Sequence, residues 1–254
     1  MQAISRRFLS ALVGLALSQA PFAAAHAAPV CPANPGAAPL ALPHLLSAVA
    51  HGVEGVIVAL GSSSTQGAMA SDLGHTYPAV LQHALSSALP EAHVAVLNRG
   101  IGGQDAAEEL SRLDTDVLAV RPQLVIWQVG ANGALRNADP AVFRAMVAAG
   151  VHRLQAAGAD VVLMDNQQSP ALMAKAAEPV FDQSLAQVAK ETGASLFSRR
   201  ALMMGWHNDG ASLSQFIAAD GLHHNDRGYL CVAESLAVAI VGALAPNQPV
   251  TASR

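Results

Sequence analysis

The chain has 254 residues, with 14 basic against 18 acidic side chains and a formal net charge of −4. That balance, with no basic run anywhere, argues against nucleic acid and anionic membrane surfaces as partners. Charged residues make up 13% of the sequence, about half the ~25% usual in soluble proteins, which points to an alanine-rich, well-buried fold rather than to disorder.

Residues 1–27 read as an export signal. Arg6 and Arg7 form a positive n-region, Phe8 to Leu17 is a short apolar stretch, and Ala25-His26-Ala27 offers small residues where a signal peptidase inspects the chain. Ser5-Arg6-Arg7-Phe8-Leu9 partly resembles a twin-arginine signal, so the Sec and Tat routes both stay open. Ten apolar residues are too few for a membrane anchor, and Ala28-Pro29-Val30 before Cys31 is a poor lipoprotein cleavage site. A periplasmic or secreted location is expected. Losing Arg6 and Arg7 leaves 12 basic residues against 18 acidic ones, a charge of −6, on about 227 residues. That length suits one α/β domain. Cys31 and Cys231 are able to pair in an oxidising compartment, while the alternative for Cys231 is a small core residue on an apolar helix face.

Residues 28–45, rich in proline and alanine, are expected to be an irregular lead-in, followed by one domain over 46–246 and a tail over 247–254. In chain order, Val56 to Leu60 is a β-rich run and Tyr77 to Leu89 has helical spacing that stops at Pro90. Val94 to Leu97 is a second strand. A helix follows from about Ala106 to Val120, its start marked by the capping-box pair Asp105 and Glu108. Leu124 to Val129 is a third buried strand. The next helix has Asp139 as N-cap, Pro140 in its first turn and Gly158 beyond its end. Val161 to Met164, Pro179 to Lys190 and Ser195 to Phe197 continue the alternation, and Asn225 to Leu244 closes it. The Leu202-Met203-Met204-Gly205-Trp206 run is read as core rather than as an acyl pocket.

Apolar strands alternating with helices imply a parallel sheet covered on both faces. Ligands bind such sheets beyond the carboxyl ends of the strands. Gly61-Ser62-Ser63-Ser64-Thr65 follows the first strand, Asn98-Arg99-Gly100-Ile101-Gly102-Gly103 the second, and Gly130-Ala131-Asn132 the third, so three loops open onto one rim. The second loop has neither G-x-G-x-x-G nor a P-loop lysine, which excludes a nucleotide-phosphate loop of either kind. Asp220, three residues before His223, is able to accept from its Nδ1–H and leave Nε2 to take a proton from a hydroxyl. Ser62, Ser63 and Ser64 are chemically equivalent candidates for that hydroxyl. Asn132 is a neutral amide donor of the kind an oxyanion hole needs. A metal site drawn from Asp220, His223, His224, His207 and Asp209 lacks the short fixed spacing of H-E-x-x-H and is set aside.

In order and spacing, these four segments resemble the blocks of the SGNH (GDSL-like) hydrolase superfamily, over Val53 to Leu244. Its Gly-Asp-Ser-x-Thr block falls on Gly61 to Thr65, which selects Ser63. Its Asn-x-Gly-x-x-Gly block falls on Asn98 to Gly103, its Gly-x-Asn-Asp block on Gly130 to Gly133, and its Asp-x-x-His block on Asp220 to His223. Two positions depart from the pattern: Ser62 replaces an aspartate, and Gly133 replaces the second acid of the third block. The resemblance implies a three-layer α/β/α sandwich around a flavodoxin-like parallel sheet of about five strands. It also implies a serine esterase without a cofactor, in which Ser63, His223 and Asp220 do the chemistry and Ser63, Gly103 and Asn132 form the oxyanion hole. The expected substrate is a small ester or an O-acylated carbohydrate. Transfer of the acyl group to a sugar hydroxyl, or carbohydrate binding without catalysis, are the rival expectations.

Overall fold

The computed structural model describes residues 31–32 and 38–245; the expected signal peptide and the tail after 246 lie outside them. Five parallel strands, β1 (Gly55–Gly61), β2 (Val94–Gly100), β3 (Leu124–Gln128), β4 (Asp160–Met164) and β5 (Ser195–Phe197), form one sheet in the order β2-β1-β3-β4-β5. This is the flavodoxin-like order, and its switch point falls between β1 and β3.

Period-two alternation along the strands divides the core into two layers. Ile57, Ala59, Leu124, Ile126, Val162 and Met164 face one apolar cluster, while Val58, Leu60, Val125, Trp127, Val161 and Leu163 face the other. The first is closed by α1 (Pro43–Ala50) and by three longer helices lying later in the chain, Tyr77–Ala88, Arg199–Asn208 and Asp226–Leu244. The second is closed mainly by helices Pro140–Ala156 and Glu178–Thr192.

The full helical order is α1, α2 (Ser63–Gln66), α3 (Tyr77–Ala88), α4 (Ala106–Ser111), α5 (Leu113–Asp116), α6 (Ala131–Leu135), α7 (Pro140–Ala156), α8 (Pro170–Met173), α9 (Glu178–Thr192), α10 (Arg199–Asn208) and α11 (Asp226–Leu244). Leu202, Met203 and Trp206 of α10 are buried in the first cluster, in keeping with a core reading of that run.

Two expectations need correction. The irregular lead-in to residue 45 is in part structured: Leu40, Leu42 and Leu45 are buried, and α1 begins at Pro43. The cause is distant in sequence, because the Asp160 carboxylate accepts the N–H groups of His44 and Leu45 at 3.2 and 3.0 Å and so caps the helix from β4. The single helix expected over 106–120 is broken at Arg112 into α4 and α5. There the Arg112 side chain turns inward and donates to the Gly61 carbonyl at 3.1 Å and to Gln104 Oε1 at 2.6 Å. Cys31 and Cys231 form a disulfide with Cα atoms 5.3 Å apart, which joins the chain ahead of α1 to the buried face of α11.

Candidate active site

Strand register levels the loops. Gly61 is paired with Gly100 and Leu60 with Trp127, so β1, β2 and β3 end together and deliver their following segments to one rim. Ser63 opens α2 directly after β1, where the first-turn N–H groups of a helix have no intrahelical acceptor. Ser62 and Ser64 are each 3% exposed and turned inward. The Ser62 N–H and O–H both donate to Gln128 Oε1, at 3.1 and 3.2 Å, and the Thr65 hydroxyl donates to the same oxygen at 3.2 Å. Where the SGNH block carries an aspartate, this chain uses a buried amide from the end of β3 to fix the turn.

His223 reaches this rim from the segment before α11. Its Nε2 lies 2.8 Å from Ser63 Oγ and its Nδ1 2.5 Å from Asp220 Oδ2. Those partners fix the tautomer: Nδ1–H donates to the carboxylate, and the Ser63 hydroxyl donates to Nε2. The other carboxylate oxygen accepts the N–H groups of Leu222 and His223, both at 3.0 Å. Burial alone would raise the Asp220 pKa, but the His223 ring and these two N–H groups together hold it below the usual carboxylate range. The turn is pinned from the segment after β4 and from α8, since Gln167 Nε2 donates to the Leu222 carbonyl at 2.8 Å and the Ala171 N–H to the Gly221 carbonyl at 3.0 Å.

Gly103 has φ +81°, a left-handed conformation that glycine adopts without strain. A Cβ placed on the preceding Gly102 would lie 3.9 Å from the Ser63 Cβ, so this loop runs alongside the serine. Asn132, on α6, donates from Nδ2 to the Gln104 carbonyl at 2.8 Å, which leaves its second amide hydrogen for another acceptor. The departure at Gly133 has a packing cause: a Cβ there would sit 2.7 Å from the Phe181 ring, so α9 occupies the space an acid would need.

All five residues singled out from sequence, Ser63, Gly103, Asn132, Asp220 and His223, therefore lie on the loops and short helices at this rim, and Ser63, His223 and Asp220 are joined by direct hydrogen bonds. The residues weighed as metal ligands do not gather: among the described residues, no group of three or more His, Cys, Asp or Glu is placed to hold an ion. His224 is fully buried with its ring edge-on to Tyr229. Sequence reasoning missed Gln128, Gln167 and Arg112, which hold the site in place. A glutamine ending the otherwise apolar run Leu124-Val125-Ile126-Trp127 was the available signal for Gln128.

The profile of the non-GDSL lipase-like family matches residues 29–246. No curated protein matches the chain. Among solved structures, a two-domain esterase (CEX) active on acetylated mannans shares 20% identity with a TM-score of 0.70, covering 81% of this chain and 53% of its own. The chain thus spans about half the length of that enzyme. Axe2, an acetylxylan esterase from Geobacillus stearothermophilus, shares 19% identity with a TM-score of 0.61, covering 76% of this chain and 95% of its own. TesA shares 22% identity with a TM-score of 0.61, covering 73% and 97%. At these identities the likeness shows a shared fold.

Proposed function

The chain belongs to the non-GDSL lipase-like family, an SGNH-type family; we propose that it is an ester-hydrolysing enzyme, working as an exported serine esterase through Ser63, His223 and Asp220. The observation that carries this reading is the unbroken relay from Ser63 Oγ through His223 to Asp220, at 2.8 and 2.5 Å.

In the proposed cycle, His223 Nε2 removes the Ser63 proton as Oγ attacks the ester carbonyl carbon. The resulting imidazolium is stabilised by the Asp220 carboxylate. The N–H groups of Ser63 and Gly103 and the free amide hydrogen of Asn132 take the negative oxygen of the tetrahedral intermediate, where each such donor contributes roughly 2.7–4 kcal/mol. His223 returns the proton to the leaving alkoxide, and an acyl-Ser63 ester remains. Water, deprotonated by His223, then attacks that ester, and its collapse releases the carboxylic acid and restores the Ser63 hydroxyl.

The reading favours a small aliphatic ester over an acyl group borne on a polysaccharide. Flat sugar faces are gripped by exposed aromatic rings. Here all eight aromatic side chains among the described residues (Tyr77, Trp127, Phe143, Phe181, Phe197, Trp206, Phe216 and Tyr229) are at most 3% exposed. The exposed large apolar side chains on the segments that follow β1 and β2 and on α8 are aliphatic instead: Met69, Ile101 and Met173 are 50%, 42% and 55% exposed. Export is supported by the Cys31–Cys231 disulfide, which persists in oxidising compartments. The test is hydrolysis of p-nitrophenyl acetate. Ser63→Ala should abolish turnover with an unchanged near-ultraviolet circular dichroism spectrum, and turnover at the native rate in that variant would overturn the proposal.

A further inference from the structure

The oxyanion loop is gripped by Asn132, itself an oxyanion donor, and by two side chains that the reaction does not use, Gln66 and Arg136. Asn132 stands in α6 and Arg136 caps its C-terminal end four residues on, with the Arg136 N–H bonded to the Asn132 carbonyl at 3.0 Å, so the two side chains leave one face of a single helical turn. They take adjacent carbonyls of the loop. Asn132 Nδ2 donates to Gln104 O at 2.8 Å, and Arg136 Nη2 donates to Gly103 O at 2.6 Å. On the other side of Gly103, the Gly102 N–H donates to Gln66 Oε1 at 2.9 Å, from the same short helix that Ser63 opens. The Gly103 N–H therefore lies between a peptide held by Gln66 and a peptide held by Arg136.

Glycine at 103 makes this grip necessary. With φ at +81° and no neighbour within 4 Å of where a Cβ would be, the local hold on its peptides is a long turn bond from the Gln104 N–H to the Ile101 carbonyl at 3.4 Å. A donor that stabilises a developing charge has to be aimed before the charge forms, because reorientation during the reaction gives back the advantage. Arg136 also donates from Nη1 to Asp105 at 3.1 Å and lies 3.5 Å from Glu108. These two acids form the capping box of α4, where the loop ends. One guanidinium thus joins the Gly103 carbonyl to the start of the next helix, and its planar fork suits this divided task in a way an ammonium does not.

We propose that Arg136 is a positioning residue of the oxyanion hole, holding the Gly103–Gln104 peptide so that the neighbouring peptide presents the Gly103 N–H to the carbonyl oxygen of an ester attacked by Ser63. This rests on the esterase reading above. Arg136 is about half exposed and touches no reacting atom, so its loss should affect the transition state rather than the fold or the initial binding of substrate.

The experiment compares Arg136→Met and Arg136→Lys with the native enzyme in p-nitrophenyl ester hydrolysis and in inhibition by an alkyl boronic acid, which forms a tetrahedral adduct on the serine. Arg136→Met should lower kcat by about 10- to 100-fold, the scale of a small misplacement in a reacting geometry. KM should stay within about threefold, and boronate affinity should fall by the same factor as kcat/KM. Arg136→Lys should fall between the two. If native enzyme turns over ester and Ser63→Ala does not, the esterase reading stands. Against that background, native kcat in Arg136→Met overturns the positioning role alone. So does a loss of kcat with boronate affinity unchanged, or a loss that merely follows the fraction of unfolded protein.

Discussion

The side-chain oxygen of Gln128, the last residue of β3, accepts both the N–H and the O–H of Ser62, at 3.1 and 3.2 Å. It therefore fixes the backbone immediately before Ser63. Replacing Gln128 with leucine removes the acceptor for Ser62 and Thr65 in a buried site. Each orphaned buried polar group costs about 1–3 kcal/mol; Thr65 keeps its bond to the Tyr77 hydroxyl, so the two orphaned Ser62 donors should cost Gln128→Leu about 2–6 kcal/mol of unfolding free energy in a denaturant titration. The fraction that remains folded should also have a reduced kcat, because the turn ahead of Ser63 is released.

Asp220→Asn should leave the fold intact and lower kcat by roughly 10³–10⁴-fold with little change in KM. The amide favours the wrong imidazole tautomer and no longer stabilises the imidazolium. Steady-state kinetics on a p-nitrophenyl ester check this, and a variant within tenfold of native kcat would remove Asp220 from the relay.

A buried acidic group away from the relay should bear on stability rather than chemistry. The Asp182 carboxyl is pushed above the usual range by burial first, then by the Asp165 charge and by its hydrogen bond with Glu178. Burial also raises the Asp165 carboxyl, to about 6, against the opposing Ser198 hydrogen bond. Arg199 and Arg200 flank the group, and Arg200 Nη1 lies 2.8 Å from Glu178 and 3.4 Å from Asp182. Carboxyls with raised folded-state pKa values bind more protons folded than unfolded, so stability must fall as pH rises from the ordinary carboxylate pKa through the raised values. Asparagine at 182 keeps an acceptor for the Asn166 N–H, which bonds Asp182 Oδ1 at 3.2 Å, and it does not ionise. The melting temperature of Asp182→Asn relative to native protein should therefore improve steadily between pH 5 and pH 8. A difference independent of pH would contradict this assignment.

The Cys31–Cys231 disulfide closes a loop with a sequence separation of 200. On the chain-entropy account a bridge of that span restricts the unfolded state strongly, and removing a native bridge typically costs about 2–5 kcal/mol. Cys31→Ser should show that loss, and dithiothreitol should reproduce it in the native protein while leaving the variant unaffected.

An acyl panel tests the substrate reading. With exposed aliphatic side chains and no exposed aromatic ring among the described residues, kcat/KM should be higher for p-nitrophenyl acetate to hexanoate than for release of acetate from acetylated xylan or mannan. The reverse ranking would restore the carbohydrate expectation.

Much of this architecture was legible in the chain. The apolar runs at Val56 to Leu60, Leu124 to Val129 and Val161 to Met164 bury both faces of a strand, and Asp105, Asp139 and Asn225 cap their helices by local hydrogen bonds. Those signals lie within a few residues of what they specify. The features that escaped depend on partners remote in sequence. The cap on α1 comes from Asp160, the break after α4 accompanies the reach of Arg112 to Gly61, and the grip on Gly103 comes from Arg136. The choice of Ser63 over Ser62 and Ser64 came from resemblance to the Gly-Asp-Ser-x-Thr block, and its physical reason lies in remote partners. Ser62 is committed to Gln128, Ser64 is buried, and Ser63 alone of the three meets His223.

The central claim is that Ser63 is the nucleophile, and covalent labelling tests it most directly. A fluorophosphonate added to the native protein should leave one adduct, placed on Ser63 by peptide mass spectrometry. Labelling should be absent in Ser63→Ala and much slower in Asp220→Asn. An adduct on Ser62 or Ser64, or undiminished labelling of Ser63→Ala, would contradict the account.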